Sequence, residues 1–288
     1  MAQVTFKRSK EKWIKQFKPS YIKGKPIFSN AGISRYFENE INKLTAQMEK
    51  DVKKELDYLY NNTSTKMTIS VANDANFTSQ IKIIFNALQK KWLNKFMSKA
   101  PSIIESFTKQ IFKDNTTQIE KSFEDVKANL TIKKLNPATN EIIKSASYEV
   151  ANLIKSIPTE YLPKIANQAY RSVGDGGEGI SSLIEFLEKT TDQSKKRIKN
   201  LALDQTRKIN NNLTVQRFKD NNITHFEWVH SGGGVKPRKE HIAFSGKIYP
   251  INEPPYDAVY GGRVMPGTAI NCKCTLAPVF YFDENKTE

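Results

Sequence analysis

Apolar side chains recur at steps of three and four residues along most of this chain, which is the spacing of helices that bury one face. The clearest stripe runs from about Ile33 to Tyr60 and has charged residues on its opposite face, so it predicts coiled-coil-like packing against another helix. A second helix is predicted over about residues 78–99. Pro101 is expected to interrupt it, because proline lacks a backbone N–H donor.

Further helices are predicted after residue 102. Their boundaries follow from capping residues and prolines, with starts at Asn136–Pro137 and Thr190–Asp192 and ends at Ile157–Pro158 and Asn221–Asn222. The segment GDGGEG at 174–179 is interpreted as a flexible connector rather than a phosphate loop, because no lysine follows its glycines. On the last long helix, several side chains on or beside the inward face are unusually polar for a packed helix: Asp204, Gln205, Thr206, Arg207 and Asn211.

The pattern changes from helical spacing to alternation after residue 222, which predicts strands. Strands are expected at about 224–230, 247–250 and 274–282, with a loop rich in Pro, Tyr and Gly at 253–267. The predicted fold class is therefore mainly α with a small C-terminal α+β module. It consists of an elongated helical body followed by a short antiparallel sheet with long Pro/Gly-rich loops.

These patterns divide the chain into three parts. A basic N-terminal arm at 1–30 is broken by prolines and a glycine, and it is expected to dock either on its own chain or on a partner. The helical body spans 31–189, and the C-terminal module with the long polar helix, the short strands and the His/Cys loops spans 190–288.

The chain has far more basic than acidic residues: 45 Lys+Arg against 30 Asp+Glu in 288 residues give a net charge of +15. Such a balance favours a polyanionic partner, nucleic acid or a membrane surface, although a lysine-rich surface without a partner explains it equally well. No stretch approaches the roughly 20 apolar residues of a membrane span, and the N-terminal segment lacks the apolar core of a signal peptide. We therefore expect a soluble protein made in a cytoplasm, with no membrane partner.

Both cysteines lie in one Cys-Lys-Cys triplet, Cys272 to Cys274, too close together for an unstrained disulfide. This arrangement indicates a reducing compartment or metal binding. Together with His241 they make three soft ligands, which favour zinc, with His230 as the candidate fourth ligand and His225 or Asp257 as alternatives. The other interpretation is that His241 hydrogen-bonds in a small buried core and the cysteines pack as small apolar groups.

Two catalytic interpretations of the same residues are also open. His241 could act as a base beside a metal held by His230 or Asn271, or it could activate Cys272 or Cys274 as a nucleophile. The carboxylates that a magnesium site requires are not evident at this spacing. The sequence therefore predicts no catalytic residues.

Basic residues surround the same loops and are interleaved with tyrosines, a combination that can contact phosphates and bases. The candidate nucleic-acid-binding residues are Lys236, Arg238, Lys239, Lys247, Arg263 and Lys273, and the tyrosines are Tyr249, Tyr256 and Tyr260. A solvated basic face without a ligand is the alternative.

Four stretches carry a resemblance to a known family. They are the helix ALDQTRKINNNLTVQRFKDNNI, the strand FEWV with Trp228, the segment KPRKEHIAFSGKIYPI with Arg238, His241 and Gly246, and the closing segment PGTAINCKCTLAPV with Pro266, Gly267, Asn271, Cys272 and Cys274. In this order, over about residues 196–279, they resemble the Mu F-like phage head morphogenesis family, the minor head proteins. The residues before them match no family that we can name.

Two positions depart from the family pattern. Relatives often carry an aspartate just after the tryptophan strand, where this chain has SGGGVKPR, and an arginine between the cysteines, where it has Lys273. Some relatives carry Cys-x-x-Cys at the positions of residues 238–241, which together with the closing Cys-x-Cys makes a four-ligand zinc set of ordinary type.

The resemblance implies a structural and assembly protein of a tailed bacteriophage rather than an enzyme. Such a protein would join the procapsid in few copies, associate with the portal protein, the scaffold or the major capsid protein, and aid head assembly, DNA packaging or DNA delivery. It would lie in the virion, at the capsid interior or the portal vertex next to phage DNA, after assembly in the host cytoplasm. The alternatives are a metal-dependent nuclease or toxin-like enzyme in the C-terminal module, and a simple nucleic-acid-binding protein.

Overall fold

A computed structural model of the chain describes residues 21–64, 71–126, 136–174, 179–232 and 237–281. Long helices followed by a small antiparallel sheet make up these residues, which confirms the predicted fold class. The helices are α1 (Ala31–Ser64), α2 (Val71–Asp125), α3 (Pro137–Gly174), α4 (Gly179–Asp220) and α5 (Lys239–Phe244). The strands are β1 (Tyr21–Lys23), β2 (His225–Val229), β3 (Ile248–Pro250), β4 (Tyr256–Asp257), β5 (Gly262–Arg263) and β6 (Thr275–Tyr281). Within the described residues, no helix is long and apolar enough to cross a bilayer.

The helices run through prolines that the sequence predicts as breaks. α2 continues through Pro101, and α3 continues through Pro158 and Pro163, so the predicted interruption and the predicted end are wrong. A proline inside a helix costs about 3 kcal/mol. Buried apolar residues lie on both sides of Pro101, whose own ring is exposed, and their packing offsets this cost.

The predicted helix start at residues 190–192 is also wrong, because α4 passes through it without a break. Thr190 is buried, and the hydroxyl of Thr191 lies 3.1 Å from that of Tyr161. These hydroxyls therefore contact other parts of the protein instead of capping a new helix.

Two other predicted boundaries are confirmed. The amide of Thr139 donates a 2.7 Å hydrogen bond to Oδ1 of Asn136, which caps α3 directly before Pro137. α4 ends at Asp220, and Asn222 has a φ of 56°, a left-handed conformation that asparagine tolerates at a helix end. Most of the GDGGEG segment, residues 175–178, lies outside the described residues.

The chain forms two compact units. The sheet unit consists of the described residues of Met1–Ile33, Thr108–Ala146 and Leu203–Glu288, and the helical unit consists of Ser34–Phe107 and Ser147–Ala202. These units are defined in space, whereas the predicted division at residues 30 and 189 follows the chain and stays a prediction.

The helical unit has a core of aromatic and aliphatic side chains from the long helices. The rings of Phe37 and Phe107 lie 4.4 Å apart, and Trp92 and Phe96 are buried in edge-to-face contact at 6.4 Å. The stripe predicted for Ile33 to Tyr60 is the buried face of α1, as the burial of Met48 in its middle shows.

The sheet unit contains a four-stranded antiparallel sheet in the order β1-β6-β2-β3. The strands predicted at about 224–230, 247–250 and 274–282 are confirmed as β2, β3 and β6. In the central pair, Trp228 lies opposite Leu276, and Phe226 lies opposite Pro278. A separate short hairpin pairs β4 with β5, where Tyr256 lies opposite Arg263.

The outer strand β1 belongs to the predicted N-terminal arm. Tyr21 pairs with Tyr281, and farther along the amide of Ile27 donates a 3.1 Å hydrogen bond to the carbonyl of Leu276. The part of the arm that is described therefore docks on its own chain, along β6; residues 1–20 lie outside the described residues.

Candidate functional site

His241 is the centre of the candidate site. It lies on α5, is 3% exposed, and has its Nε2 atom 2.9 Å from Oδ2 of Asp257. Because a carboxylate accepts hydrogen bonds, Nε2–H is the donor to Asp257, so the neutral ring presents its lone pair at Nδ1. Nδ1 lies 3.3 Å from Sγ of Cys272 and 3.7 Å from Sγ of Cys274.

Asp257 orients this histidine from the end of β4. It is fully buried, and its Oδ1 atom accepts 2.9 Å hydrogen bonds from the backbone amides of Val259 and Tyr260. Burial by itself raises the pKa of the Asp257 carboxyl, but the Tyr260 amide and the His241 ring together lower the pKa below its ordinary value. The carboxylate is therefore held in place on one side by a turn and on the other by the imidazole.

The two cysteines differ in their surroundings. A hydrogen bond from the Cys274 thiol lowers the pKa of Cys272 to about 5. The backbone amide of Gly267 acts in the same direction, and burial acts in the opposite direction. The thiol that donates, Cys274, has its pKa raised by that same hydrogen bond and by burial. The Gly267 amide lies 3.4 Å from the Cys272 sulfur. The same hydrogen bond thus shifts the pKa values of the two thiols in opposite directions, as in any two acids that share one site.

Trp228 completes the wall around the sulfurs. It is fully buried, and its ring meets those of His241 and Phe244 edge to face at 5.0 and 5.2 Å. Its indole N–H has no hydrogen-bond partner among the described residues, and it opposes the rise in the pKa of the Cys274 thiol. The signature tryptophan therefore touches two of the three candidate ligands.

The structure brings together three of the predicted metal ligands. The ligand atoms of His241, Cys272 and Cys274 all lie within 4.8 Å of one another, and among the described residues no further His, Cys, Asp or Glu joins this group. His230 and His225 lie elsewhere: Nδ1 of His230 accepts a 3.1 Å hydrogen bond from the amide of Gly232, and Nδ1 of His225 lies 2.8 Å from the hydroxyl of its neighbour Thr224. Zinc binding by His241, Cys272 and Cys274 stays a prediction.

Asn211 on α4 holds the two chain segments that carry the closing signature. Its Nδ2 atom donates hydrogen bonds to the carbonyls of Pro266, at 2.7 Å, and Cys274, at 3.3 Å. Gly267 has a φ of 76°, and a Cβ atom there would collide with the Asn211 amide. The Pro-Gly pair is therefore the turn that fits over this asparagine.

Asn271 makes a second turn just before the cysteines. Its φ is 60°, in the left-handed region that asparagine adopts more readily than most residues. Its amide donates a 2.8 Å hydrogen bond to Oδ1 of Asp204 on α4. Burial raises the pKa of Asp204, while this amide and nearby Arg207, Lys208 and Arg238 act in the opposite direction.

Gly246 makes the turn between α5 and β3. Its φ is 79°, which only glycine adopts without strain, and its amide donates a 2.9 Å hydrogen bond to the carbonyl of Trp228. Four of the five signature positions thus have a structural reason in the geometry of this unit: Trp228, Gly246, Gly267 and Asn271. At Pro266 only the backbone carbonyl takes part.

The predicted nucleic-acid-binding residues differ in whether their side chains are paired within the protein or exposed. Arg238 donates a 3.0 Å hydrogen bond to the carbonyl of Ile270, and Arg263 pairs with Glu253 at 2.7 Å. Three lysines have exposed side chains, and Lys236 lies outside the described residues. The exposed lysines are Lys239, Lys247 and Lys273. Tyr256 and Tyr260 are each 60% exposed on the β4–β5 hairpin.

The polar inward face of α4 carries residues that the sequence did not assign to a role. Besides Asn211 and Asp204, it holds Arg217, which is 3% exposed and donates hydrogen bonds of 2.7 and 2.5 Å to Asn115 and Thr116 of α2. The unusual polarity of this face is the feature of the sequence that could have indicated buried hydrogen bonds here. It did not reveal the partners, because these lie on α2 and on the closing loop.

A sequence model of the family described as "Phage Mu protein F like protein" matches residues 163–277. This confirms the resemblance predicted for about residues 196–279 and extends it into α3. The chain is also similar to a protein of Haemophilus influenzae (strain Rd) that carries only the description "Uncharacterized protein", with 27% identity over 205 residues. That match covers 69% of this chain and 43% of the relative, so the chain spans less than half of the relative's length. No solved structure matches the chain.

Proposed function

We propose that this chain, whose residues 163–277 match the phage Mu protein F like family, is a minor head protein of a tailed bacteriophage. The family match indicates phage head morphogenesis in general. The observation that carries the proposal is that the family's signature residues form one packed arrangement: Trp228 packs against His241, and Asn211 holds the turn at Gly267. The signature thus belongs to a folded module in this chain.

The proposed partners are the components of a procapsid. The protein joins the procapsid in few copies, associates with the portal protein and contacts the scaffold or the major capsid protein. It aids head assembly, DNA packaging or DNA delivery, and it lies at the capsid interior or the portal vertex. The net charge of +15 supports a position next to packaged DNA, because a basic protein is attracted to a polyanion.

Contact with DNA is the finer part of this proposal. Lys239 and Lys273 are exposed, and Arg238 bridges their two segments through its hydrogen bond to Ile270. The exposed ring of Tyr260 offers a surface on which a base could stack. These features support binding through phosphates without sequence preference.

A structural role fits the site better than a nuclease or toxin activity. His241, Cys272 and Cys274 are 3%, 3% and 4% exposed, so no substrate atom can approach them as they stand. A general base or nucleophile must reach the reacting atom to about 3 Å. This burial supports the proposal that the chain is not an enzyme.

The decisive experiment uses the phage genome that encodes the chain. A tagged copy replaces the gene, procapsids and mature heads are purified, and their proteins are quantified by mass spectrometry. We expect the chain in both kinds of particle at a small fraction of the major capsid protein, and cross-links between it and the portal protein. Particles that lack the chain would overturn the proposal.

The DNA contact is tested separately with the purified full chain in a gel-shift assay at increasing salt. We expect Lys239→Ala with Lys273→Ala to weaken retention and to reduce its salt dependence. The matched control is Lys82→Ala with Lys90→Ala on α2, which removes the same charge from the helical unit. Equal loss in both pairs would mean that net charge alone, and not this surface, causes binding. A plasmid-nicking assay with zinc, magnesium or manganese, compared with His241→Ala, tests the enzyme alternative.

A further inference from the structure

We propose that Nδ1 of His241 and the sulfurs of Cys272 and Cys274 bind one zinc ion, which fastens α5 to the closing loop within the sheet unit. This site goes beyond the head-protein role and does not depend on it. Its three ligands come from two segments that are 31 residues apart in the chain. A metal ion there would therefore close a loop that contains α5 and the β4–β5 hairpin.

The distances among the three ligand atoms fit zinc. With usual Zn–S and Zn–N bonds, two ligands of a tetrahedral zinc lie about 3.6 Å apart. The observed distances from Nδ1 of His241 to the two sulfurs, 3.3 and 3.7 Å, lie on either side of that value. All three atoms lie within 4.8 Å of one another, so an ion could contact all of them with small adjustments.

The histidine is prepared for a metal by its other nitrogen. Histidines that bind metals commonly donate the remaining N–H to a carboxylate, which fixes the ring and increases its basicity. Asp257 accepts this hydrogen bond at 2.9 Å and is itself fixed by two backbone amides. A histidine that served only as a core residue would need neither a buried carboxylate nor a free Nδ1 directed at two sulfurs.

The surroundings of the sulfurs favour negative charge on them. The amide of Gly267 donates to Cys272 at 3.4 Å, and the indole N–H of Trp228 is buried in the same wall with no hydrogen-bond partner among the described residues. Buried negative charge is costly unless a cation lies beside it, and the nearby Arg207 guanidinium is itself partly committed to Asp204. A zinc ion supplies that charge, and the thiol protons are released to solvent when it binds.

Among the described residues the protein supplies three ligands, and the fourth position of the ion has no protein ligand. His230, the fourth ligand considered from sequence, lies outside the ligand group. His225 also lies outside it, on β2, and provides a matched control because it is a histidine of the same sheet unit. Of the three histidines of this region, His241 is therefore a ligand, and His225 and His230 are not.

The test is an elemental analysis of the full chain, expressed with added zinc and purified without chelators. We expect about one zinc per chain, a loss of most of it in Cys272→Ser, Cys274→Ser and His241→Ala, and its retention in His225→Ala and His230→Ala. Exchange of zinc for cobalt(II) in the wild-type chain should give the charge-transfer absorption of a thiolate ligand. This second measurement does not depend on whether the ligand variants fold.

Three outcomes would overturn the proposal. The first is a folded wild-type chain, checked by its helical circular dichroism, that holds no zinc after dialysis against zinc. The second is cobalt(II) bound without thiolate absorption. The third is loss of zinc from His225→Ala or His230→Ala to the same degree as from Cys272→Ser. As a supporting result, zinc at about a hundred times its Kd should increase the folded-to-unfolded ratio roughly a hundredfold.

Discussion

The side-chain amide of Asn211 lies 2.7 Å from the carbonyl oxygen of Pro266 and donates a hydrogen bond to it. This contact joins the middle of a long helix to the turn that precedes the two cysteines. The same amide reaches the carbonyl of Cys274 at 3.3 Å, so one side chain fixes both ends of the closing loop. The geometry depends on Gly267, since a side chain there would displace the asparagine.

Gly267→Ala should therefore destabilise the protein more than its left-handed φ alone would. A Cβ atom in that conformation costs about 1 kcal/mol, and the displaced Asn211 amide adds about 1–3 kcal/mol. We expect the free energy of unfolding to fall by about 2–4 kcal/mol in urea denaturation. Gly261→Ala is the control, because Gly261 has the same sign of φ, 77°, with nothing within 4 Å of an added Cβ. Equal losses in the two variants would contradict the role of Asn211.

Arg217→Lys should be strongly destabilising although it keeps the charge. The guanidinium of Arg217 is buried and donates to Asn115 and Thr116 on α2, and lysine cannot make both hydrogen bonds from one atom. Burial lowers the pKa of Arg217 to about 10, so the group is still charged at neutral pH. We expect a loss of about 2 kcal/mol in the free energy of unfolding, because hydrogen bonds of a charged group are lost.

The control for this change is Arg263→Lys, an exposed arginine that pairs with Glu253. Surface ion pairs contribute about 0–1 kcal/mol, so its effect should be near zero. If both arginines tolerate lysine equally, the buried hydrogen bonds of Arg217 do not stabilise the fold.

Ile27→Ala tests the docking of the N-terminal segment on β6. Ile27 is fully buried in the core that contains Phe123 and Phe280, and its backbone bonds to Leu276. Truncation of a buried isoleucine to alanine typically costs about 2–5 kcal/mol. Ile22→Ala on β1 is the control, since its side chain is 42% exposed and its loss should change little. The readouts are urea denaturation and hydrogen exchange of the β6 amides, which should lose protection only in Ile27→Ala.

Glu49→Gln should stabilise the helical unit at neutral pH. Burial raises the pKa of the Glu49 carboxyl, although a hydrogen bond from Thr191 and the charge of Lys195 oppose the shift. Because the folded-state pKa is above the unfolded value, the ionised form is penalised on folding. This penalty is fully present above the folded-state pKa and disappears as the pH falls below the unfolded value of 4.5.

The free energy of unfolding of the wild-type chain should therefore gain a contribution on acidification from pH 7 toward about pH 4.5, and Glu49→Gln should lack that contribution. The gain at pH 7 is expected to be below about 1 kcal/mol, because the carboxylate is only partly buried. Glu188→Gln on the exposed side of α4 is the control. A pH dependence that is identical in wild type and Glu49→Gln would show that burial of this carboxyl has no energetic effect.

Local sequence patterns predict most of the helices and strands and the residues of the candidate site. The helical stripes, the cap at Asn136 and the strands at Trp228 and after Cys274 depend on local periodicity and capping, which neighbouring residues specify. The family signature and the pairing of His241 with the two cysteines were also readable, because residue types in order are enough to identify them.

How these elements are joined depends on contacts that form only in the folded protein. α2 and α3 run through their prolines because packing on both sides offsets the local cost. The strand from Tyr21 pairs with the one ending at Tyr281, a contact between distant parts of the chain that no local pattern specifies. Asp257 and Asn211 obtain their roles from partners that are 16 and 55 residues away. The physical reason is the same in each case: the free energy of these contacts depends on what lies opposite in space, and not on the neighbours in sequence.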